Sequence, residues 1–98
     1  MSDVTVVILT KNEELNIVEV VKNARILTSK VMIIDSGSTD KTVELAEKSN
    51  AKVLYRAWDN DFSAQRNFAL DYVDTDWILY LDADERLDDE LCNAIKQA

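Results

Sequence analysis

Two carboxylates separated by one small residue follow an apolar segment near the end of the chain. Asp82 and Asp84 flank Ala83, directly after Leu79-Tyr80-Leu81. If the backbone stays extended, alternate side chains project to the same side, so both carboxylates face one point. Two hard oxygen ligands of this kind suit Mg²⁺ or Mn²⁺, which complete an octahedron with water and phosphate oxygens. A solvated acidic turn that caps the next helix is the alternative interpretation.

Three other polar segments could serve the same ligand. Asp35, ahead of a tight turn at Gly37, could accept hydrogen bonds from a base or ribose, or could instead bind its own following backbone in an Asx turn. Arg66 and Asn67 are placed early in a predicted helix, and arginine suits bidentate contact with phosphate. A surface pair between Arg66 and one of the 19 acids is the alternative. The same ambiguity applies to Lys11.

Composition excludes several classes of site. The chain has no histidine and one cysteine, Cys92, which rules out the common zinc sites and catalytic triads that use histidine. Any metal must therefore be held by oxygen. The net charge of −8 argues against a nucleic-acid partner, because phosphate binding needs clustered bases. An anionic ligand would need a divalent cation or local bases to overcome this field.

Length and patterning indicate one domain, residues 1–98, without a linker or repeat. No apolar run approaches the roughly 20 residues of a membrane-spanning helix. The opening Met1-Ser2-Asp3 also lacks the basic flank and apolar stretch of a signal peptide. We therefore expect a cytoplasmic protein.

Short apolar segments alternate with segments of helical spacing, which predicts a β-α-β-α-β-α-β-α order and a parallel sheet. The first two strands are continuously apolar, as expected for central strands that helices cover on both faces. Right-handed crossovers then favour the strand order 3-2-1-4. The fold class is α/β, a three-layer Rossmann-like open sheet with helices on both faces. The predicted strands are Val4–Leu9, Val31–Ile34, Lys52–Tyr55 and Trp77–Leu81.

Apolar spacing and capping residues predict four helices. Thr39 or Asp40 is the expected cap of the second helix, and acids fill the first turn of the fourth. The predicted apolar sides are Leu15, Val18, Val21 and Ala24 in the first helix; Val43 and Ala46 in the second; Phe62, Ala69 and Val73, with Arg66, in the third; and Leu87, Leu91 and Ile95 in the fourth.

In such a sheet, ligands bind at the carboxyl ends of the strands, where the strand order reverses. Here this switch point lies between the first and the fourth strand. The polar segments that follow the strands are Thr10-Lys11-Asn12-Glu13, Asp35-Ser36-Gly37-Ser38 and Asp82-Ala83-Asp84-Glu85. We expect them to form one site.

Taken in order, these segments resemble the inverting glycosyltransferases of family 2, which have the GT-A fold. The resemblance covers the whole chain. Thr10-Lys11-Asn12-Glu13-Glu14 is similar to the Asn-Glu segment after the family's first strand, and the run from Asp35 to Asp40 to its Asp-x-Gly-Ser-x-Asp pattern. Arg66-Asn67 is similar to its helix signature, although Phe68-Ala69 follows where many members have glycine, and Asp82-Ala83-Asp84 to its Asp-x-Asp motif.

The resemblance implies the N-terminal, nucleotide-sugar-binding half of a GT-A fold. Asp35 would contact the nucleobase or ribose, and Arg66 would lie near the diphosphate. Asp84 would coordinate Mn²⁺ or Mg²⁺, with Asp82 as a second ligand nearer the ribose and sugar. The nucleotide would also be lined by Thr10, Asn12, Glu13 and Gly37.

Family members normally continue well beyond this length, with acceptor-binding strands and an acidic general base. We therefore expect the general base beyond residue 98, and binding of a sugar, lipid or polysaccharide acceptor by a missing C-terminal part. Peripheral membrane association of the full protein is left open. The open edge of the fourth strand favours a homo-oligomer.

Two other classes of protein remain open at this point. The first is a non-catalytic α/β nucleotide- or protein-binding module, such as a receiver domain. A receiver needs an acid pair after the first strand, where this chain has Thr10-Lys11. The second is a nucleotidyltransferase. Such an enzyme needs a glycine-rich phosphate-binding loop after the first strand, and Thr10 to Leu15 contains no glycine.

Overall fold

Four parallel strands form one sheet, as the alternation of apolar segments predicts. This computed structural model describes residues 3–97, apart from the side chain of Phe62. The strand order is β3-β2-β1-β4, so the predicted order 3-2-1-4 is confirmed. The strands are β1 (Val4–Thr10), β2 (Val31–Asp35), β3 (Lys52–Tyr55) and β4 (Trp77–Asp82). β1, β2 and β4 each run one residue past the predicted end and so end in a polar residue, while β3 has its predicted bounds.

Helices cover both faces of the sheet, because the two central strands are apolar on both sides. The helices are α1 (Ile17–Leu27), α2 (Thr42–Lys48), α3 (Phe62–Leu70) and α4 (Asp89–Lys96). On one face, Val6 and Ile8 pack in a core with side chains of α1, α2 and α4. On the other face, Val7 and Ile34 pack against Ala69 of α3. The three-layer arrangement is therefore confirmed.

The buried side of α1 differs from the predicted one. Leu15 precedes the helix and is 91% exposed, because residues 11–16 form turns rather than the first helical turn. The helix begins at Ile17 and buries the residues that follow at true helical spacing: Ile17, Val20, Val21, Ala24 and Leu27. A spacing of three, extrapolated back from Ala24, drifts off the buried side of a helix with 3.6 residues per turn.

Two other helix predictions are wrong in detail. Leu91 of α4 is exposed, and Cys92 is the buried residue of that helix. Val73 lies beyond the end of α3, although it packs against the core on that face. Leu87 is buried, as predicted, but it lies before α4 begins. The apolar side predicted for α3 also included Phe62, whose side chain lies outside the described residues.

Carboxylates satisfy the free amide groups at three helix starts. Asp61 accepts a hydrogen bond from the Ala64 amide, and Asp88 accepts one from the Leu91 amide. At α2 the cap position is held by Lys41, which makes no side-chain cap bond, so the predicted cap at Thr39 or Asp40 is wrong, although Asp40 does accept a hydrogen bond from the Thr42 amide. The helices that residues 3–97 form are all too short or too polar to cross a bilayer.

The register of the sheet brings the strand ends to one edge. Thr10 is level with Asp35 of β2, and Leu9 is level with Asp82 of β4. The polar segments that follow these strands therefore start side by side. This edge is the one that the topology predicts for a ligand.

The buried centre of the sheet makes a first prediction for stability. Ile33 in β2 is 0% exposed and lies level with Ile8. Replacing it by alanine removes buried methyl groups and leaves a cavity, which should cost about 2–5 kcal/mol of unfolding free energy. Chemical denaturation followed by circular dichroism would measure this loss.

The matched control is Ile26→Ala on α1, where the isoleucine is 53% exposed. There we expect a change within about 0.5 kcal/mol, as for most surface substitutions. Equal losses for the two variants would contradict the central position of β2.

Candidate functional site

A cleft of about 420 Å³ lies at the carboxyl ends of the strands. Its lining combines residues that follow β1, β2, β3 and β4 with Gln65 of α3. The lining residues are Leu9, Thr10, Lys11, Glu13, Ser36, Trp58, Gln65, Asp82, Ala83 and Asp84. Of the predicted site residues, Thr10, Glu13, Asp82 and Asp84 are therefore brought together. Asn12, Asp35, Gly37 and Arg66 lie outside this lining.

The acidic motif leaves the strand after its first aspartate, so Asp82 ends β4 and Asp84 lies in the turn that follows. β4 ends at Asp82, whose carbonyl accepts a hydrogen bond from the Glu85 amide at 2.9 Å. The Asp82 amide in turn donates to Glu85 Oε1 at 2.8 Å. Ala83 is 1% exposed and belongs to the core, whereas both aspartates are exposed. The assumption of an extended backbone is wrong here, yet the turn still directs both aspartates to one cleft.

Side chains from two elements hold this turn in place. The Arg86 guanidinium donates to the carbonyls of Ala83 and Glu85, each at 2.7 Å. Asn23 of α1 makes a reciprocal pair with the backbone of Leu87, donating at 2.8 Å and accepting at 2.5 Å. These bonds attach the turn to the rest of the domain without using the carboxylates of Asp82 and Asp84, which line the cleft.

Asp35 is a buried carboxylate that organises its own loop. It is 2% exposed and accepts hydrogen bonds from the hydroxyls of Thr10 at 2.7 Å and Ser38 at 2.6 Å. It also accepts from the amides of Gly37 and Ser38, at 3.0 and 2.8 Å. Because a carboxylate offers about four acceptor positions, these four bonds saturate it. Contact with a base or ribose stays a prediction, and it would require one of these donors to move away.

The environment of Asp35 acts on its pKa in two directions. Burial raises the pKa of this carboxyl, and the hydrogen bonds from Ser38, Thr10 and Gly37 lower it. The hydrogen bonds prevail, so the pKa lies below its ordinary value. Asp35 is therefore charged at neutral pH although it is buried.

The loops after β1 and β2 are joined by hydrogen bonds. Asn12 has a φ of 54°; its amide donates to Ser38 Oγ and its side chain accepts from the Thr39 amide, both at 2.8 Å. The Glu13 amide donates to Thr42 Oγ1 at 2.7 Å. Asn12 does not line the cleft, but its hydrogen bonds hold together the two loops that contribute lining residues.

Gly37 and Lys11 meet across these two loops. The Lys11 ammonium donates to the Gly37 carbonyl at 2.6 Å, and Gly37 has a φ of 107°, which favours glycine. Lys11 is the basic residue among the described residues of the lining, where it faces the acids Glu13, Asp82 and Asp84. It supplies positive charge at this end of a strongly acidic chain.

Arg66 is placed on α3, away from the described lining. It is exposed, its guanidinium carbon lies 5.6 Å from the centre of the Tyr80 ring, and the Tyr80 hydroxyl donates to the Arg66 carbonyl at 2.9 Å. Burial raises the pKa of Tyr80, and the positive charge of Arg66 opposes this effect. The contact of Arg66 with a diphosphate stays a prediction.

Four residues of the lining were not predicted as site residues: Leu9, Ser36, Trp58 and Gln65. Ser36 belongs to a segment that was expected at the site, but it was not singled out. Trp58 follows β3, and the rule that ligands bind at the carboxyl ends of strands could have drawn attention to it. Gln65 is 2% exposed, and no motif marked it.

Comparison with known proteins gives one consistent family. The family described as "Glycosyl transferase family 2" matches residues 5–97. An uncharacterized glycosyltransferase of Rickettsia conorii is 39% identical over 89 residues, which are 91% of this chain and 31% of that protein. Glycosyltransferase SunS, from the SPbeta prophage of Bacillus subtilis, is 31% identical over 83% of this chain and 20% of its own length. The chain thus spans a third or less of these relatives.

Solved structures share the fold. Glucosyl-3-phosphoglycerate synthase of Mycobacterium tuberculosis superimposes with a TM-score of 0.74 and 24% identity, over 85% of this chain and 34% of that one. Its complex with Mn²⁺, uridine-diphosphate-glucose and phosphoglyceric acid gives a TM-score of 0.72 and 25% identity, over 85% of this chain and 33% of that one. The sheet described above is therefore that of a GT-A fold.

The hydrogen bonds of Asp35 make a second prediction. In Asp35→Asn, the side-chain amide group replaces an acceptor oxygen that faces donors, so a buried donor loses its partner. This should cost about 1–3 kcal/mol of unfolding free energy at pH 7. Thermal and chemical denaturation would measure it, with Asp74→Asn, an exposed acid, as the control for charge.

The same variant should change the pH dependence of stability. Because the pKa of Asp35 is lower in the folded state than in the unfolded state, where it is about 3.9, its stabilisation is complete above the unfolded-state value. It is lost as the pH falls through the folded-state value. We expect the unfolding free energy of Asp35→Asn to fall less steeply with acid in this window. An unchanged slope would contradict the assignment.

Proposed function

The chain belongs to glycosyl transferase family 2, and we propose that it binds the nucleotide diphosphate sugar from which the enzyme transfers a sugar to a cell-envelope glycan, a lipid or another acceptor. One observation carries this proposal: Asp82 and Asp84 line the same cleft as Lys11, at the carboxyl ends of β4 and β1. A diphosphate needs compensating positive charge in so acidic a chain. The cleft offers two carboxylates for a divalent cation and one ammonium group.

Asp84 and Asp82 are the ligands that we propose for Mn²⁺ or Mg²⁺. Hard carboxylate oxygens suit these ions, and Mg²⁺ is commonly held by one or two carboxylates together with substrate phosphates and water. Within residues 3–97, no three or more acidic, histidine or cysteine side chains come together as a metal site. The pair therefore fits an ion shared with the diphosphate and not a protein cage. When bound, such an ion would neutralise the diphosphate as a leaving group.

The chain's own residues would bind and orient the donor. Lys11 is the residue that we propose for a direct contact with the anionic part of the nucleotide, because it lines the cleft. Thr10 and Glu13 line the same wall. The buried Asp35 fixes the conformation of residues 36–38, and thereby the shape of the site beside the nucleoside. The complex of glucosyl-3-phosphoglycerate synthase with Mn²⁺ and uridine-diphosphate-glucose supports this type of donor.

The remaining functions belong to the proposal for the whole protein, since this chain spans 31% of its relative from Rickettsia conorii. Inverting transfer needs a base at the acceptor hydroxyl, and its position beyond residue 98 stays a prediction. Acceptor binding by a C-terminal part, self-association, peripheral membrane association and a cytoplasmic location are likewise proposals.

Joint binding of metal and nucleotide makes a third prediction. Isothermal titration of the chain with uridine diphosphate should show binding in Mn²⁺ or Mg²⁺ and little or none after chelation of the metal. Asp84→Asn should weaken the affinity by at least about tenfold, since even the loss of an outer-shell partner of a metal ligand commonly costs 10- to 100-fold.

Asp89→Asn is the matched control, because it removes one exposed acid from the first turn of α4, outside the cleft lining. It changes the net charge equally and should leave the affinity within about twofold, as a distant surface charge is screened by salt. Nucleotide affinity that is absent with metal present, or unaffected by Asp84→Asn, would overturn the proposed donor site.

A further inference from the structure

Trp58 is the aromatic residue in the described lining of the cleft. It lies in the loop between β3 and α3, lines the cleft, and is 42% exposed. Leaving so large an apolar side chain in water costs hydrophobic free energy. An exposed aromatic side chain in a concave site is a common feature of ligand recognition.

The loop that carries Trp58 is held in one conformation by hydrogen bonds. Arg56 donates to Gln65 Oε1 at 2.8 Å, and Gln65 Nε2 donates back to the Arg56 carbonyl at 3.2 Å. Arg56 also forms an ion pair with Asp59 at 2.9 Å. Gln65 is buried, so this pair anchors the loop to α3. A loop fixed in this way presents its aromatic residue at low cost in conformational entropy.

The one hydrogen-bond donor of the indole is already used within its own loop. Trp58 Nε1 donates to Asn60 Oδ1 at 3.0 Å, and Asn60 takes a φ of 65° in the same loop. Indole nitrogen is a donor only, so recognition of a ligand would use the ring surface. Flat partners such as nucleobases stack on such a surface.

The sheet topology indicates which part of the donor would reach this residue. Trp58 follows the edge strand β3, whereas Asp82 ends the opposite edge strand β4 and Asp84 follows it. Three strand spacings of about 4.8 Å separate these edges. With the diphosphate at the aspartates, a ligand that extends across β1 and β2 reaches Trp58, and the flat part of the donor that suits an aromatic ring is the nucleobase. We propose that Trp58 stacks on the nucleobase of the donor, an inference that rests on the proposed function.

Intrinsic fluorescence gives a direct test, because the chain has two tryptophans. Trp77 begins β4, at the opposite end of that strand from Asp82. The variant Trp77→Phe therefore reports on Trp58 alone, and Trp58→Phe reports on Trp77 alone. Each would be titrated with uridine diphosphate and Mg²⁺ and, in parallel, with pyrophosphate and Mg²⁺.

We expect the nucleotide to quench the fluorescence of Trp77→Phe in a saturable way, and pyrophosphate to leave it unchanged. Trp58→Phe should show no saturable change with either ligand. Quenching by pyrophosphate equal to that by the nucleotide would overturn stacking on the base, and so would a nucleotide that binds by calorimetry without changing the fluorescence of Trp77→Phe.

Affinity gives a second readout. Trp58→Ala should weaken uridine diphosphate binding by roughly 5- to 150-fold, the range found when stacking residues are removed, and leave pyrophosphate binding within about twofold. Unchanged affinity for uridine diphosphate would overturn the inference. Weakening seen only for uridine-diphosphate-glucose would assign Trp58 to the sugar instead. These outcomes differ from failure of the proposed function, in which the wild-type chain binds no nucleotide.

Discussion

β1 is hydrogen-bonded in parallel to β2 on one side and to β4 on the other, with Thr10 level with Asp35 and Leu9 level with Asp82. This double register is the constraint on which the site depends. A slip of one residue would turn every side chain of a strand to the opposite face, and the two apolar faces of β1 would lose their separate partners. The core therefore fixes the register, and the register places the polar strand ends together.

The main electrostatic cost of the fold is the burial of Asp35 between two loops. Four hydrogen bonds offset the loss of hydration, and three of them come from the turn that directly follows. Thr10 contributes the fourth from the neighbouring strand. A charge that is satisfied in this way ties the ends of β1 and β2 to each other. The wall of the cleft is thus set before any ligand arrives.

Much of this architecture is predictable from local patterns. Continuous apolar strands indicate central positions, and chain connectivity with right-handed crossovers leaves few strand orders. Residues at the strand ends were expected to lie together, and Glu13, Asp82 and Asp84 do line one cleft. What local patterns miss depends on distant contacts. The start of α1 depends on bonds between Asn12 and the loop after β2, and no spacing rule contains such bonds.

Dependence on distant contacts also explains why the positions of individual side chains could not be predicted from the sequence. Asp35 has a sequence context that fits a ligand contact and an Asx turn equally, and only the tertiary contacts with Thr10 show that its acceptor positions are filled. Trp58 and Gln65 carry no motif, and their place in the cleft follows from the path of the loop after β3. The turn at Ala83 is closed by Glu85, whose amide donates to the Asp82 carbonyl and whose side chain accepts from the Asp82 amide, and no spacing rule contains these bonds.

Gly37 is the chain's one glycine, and proline is absent. Within residues 3–97, the other left-handed positions are taken by Asn12, Asn50 and Asn60, since asparagine tolerates this conformation better than most residues. An asparagine has fewer accessible backbone states than glycine when the chain is unfolded, so less entropy is lost on folding. A domain of 98 residues has only a small core to offset the entropy lost on folding. Turns that use asparagine in place of glycine therefore favour the native state by lowering the conformational entropy of the unfolded chain.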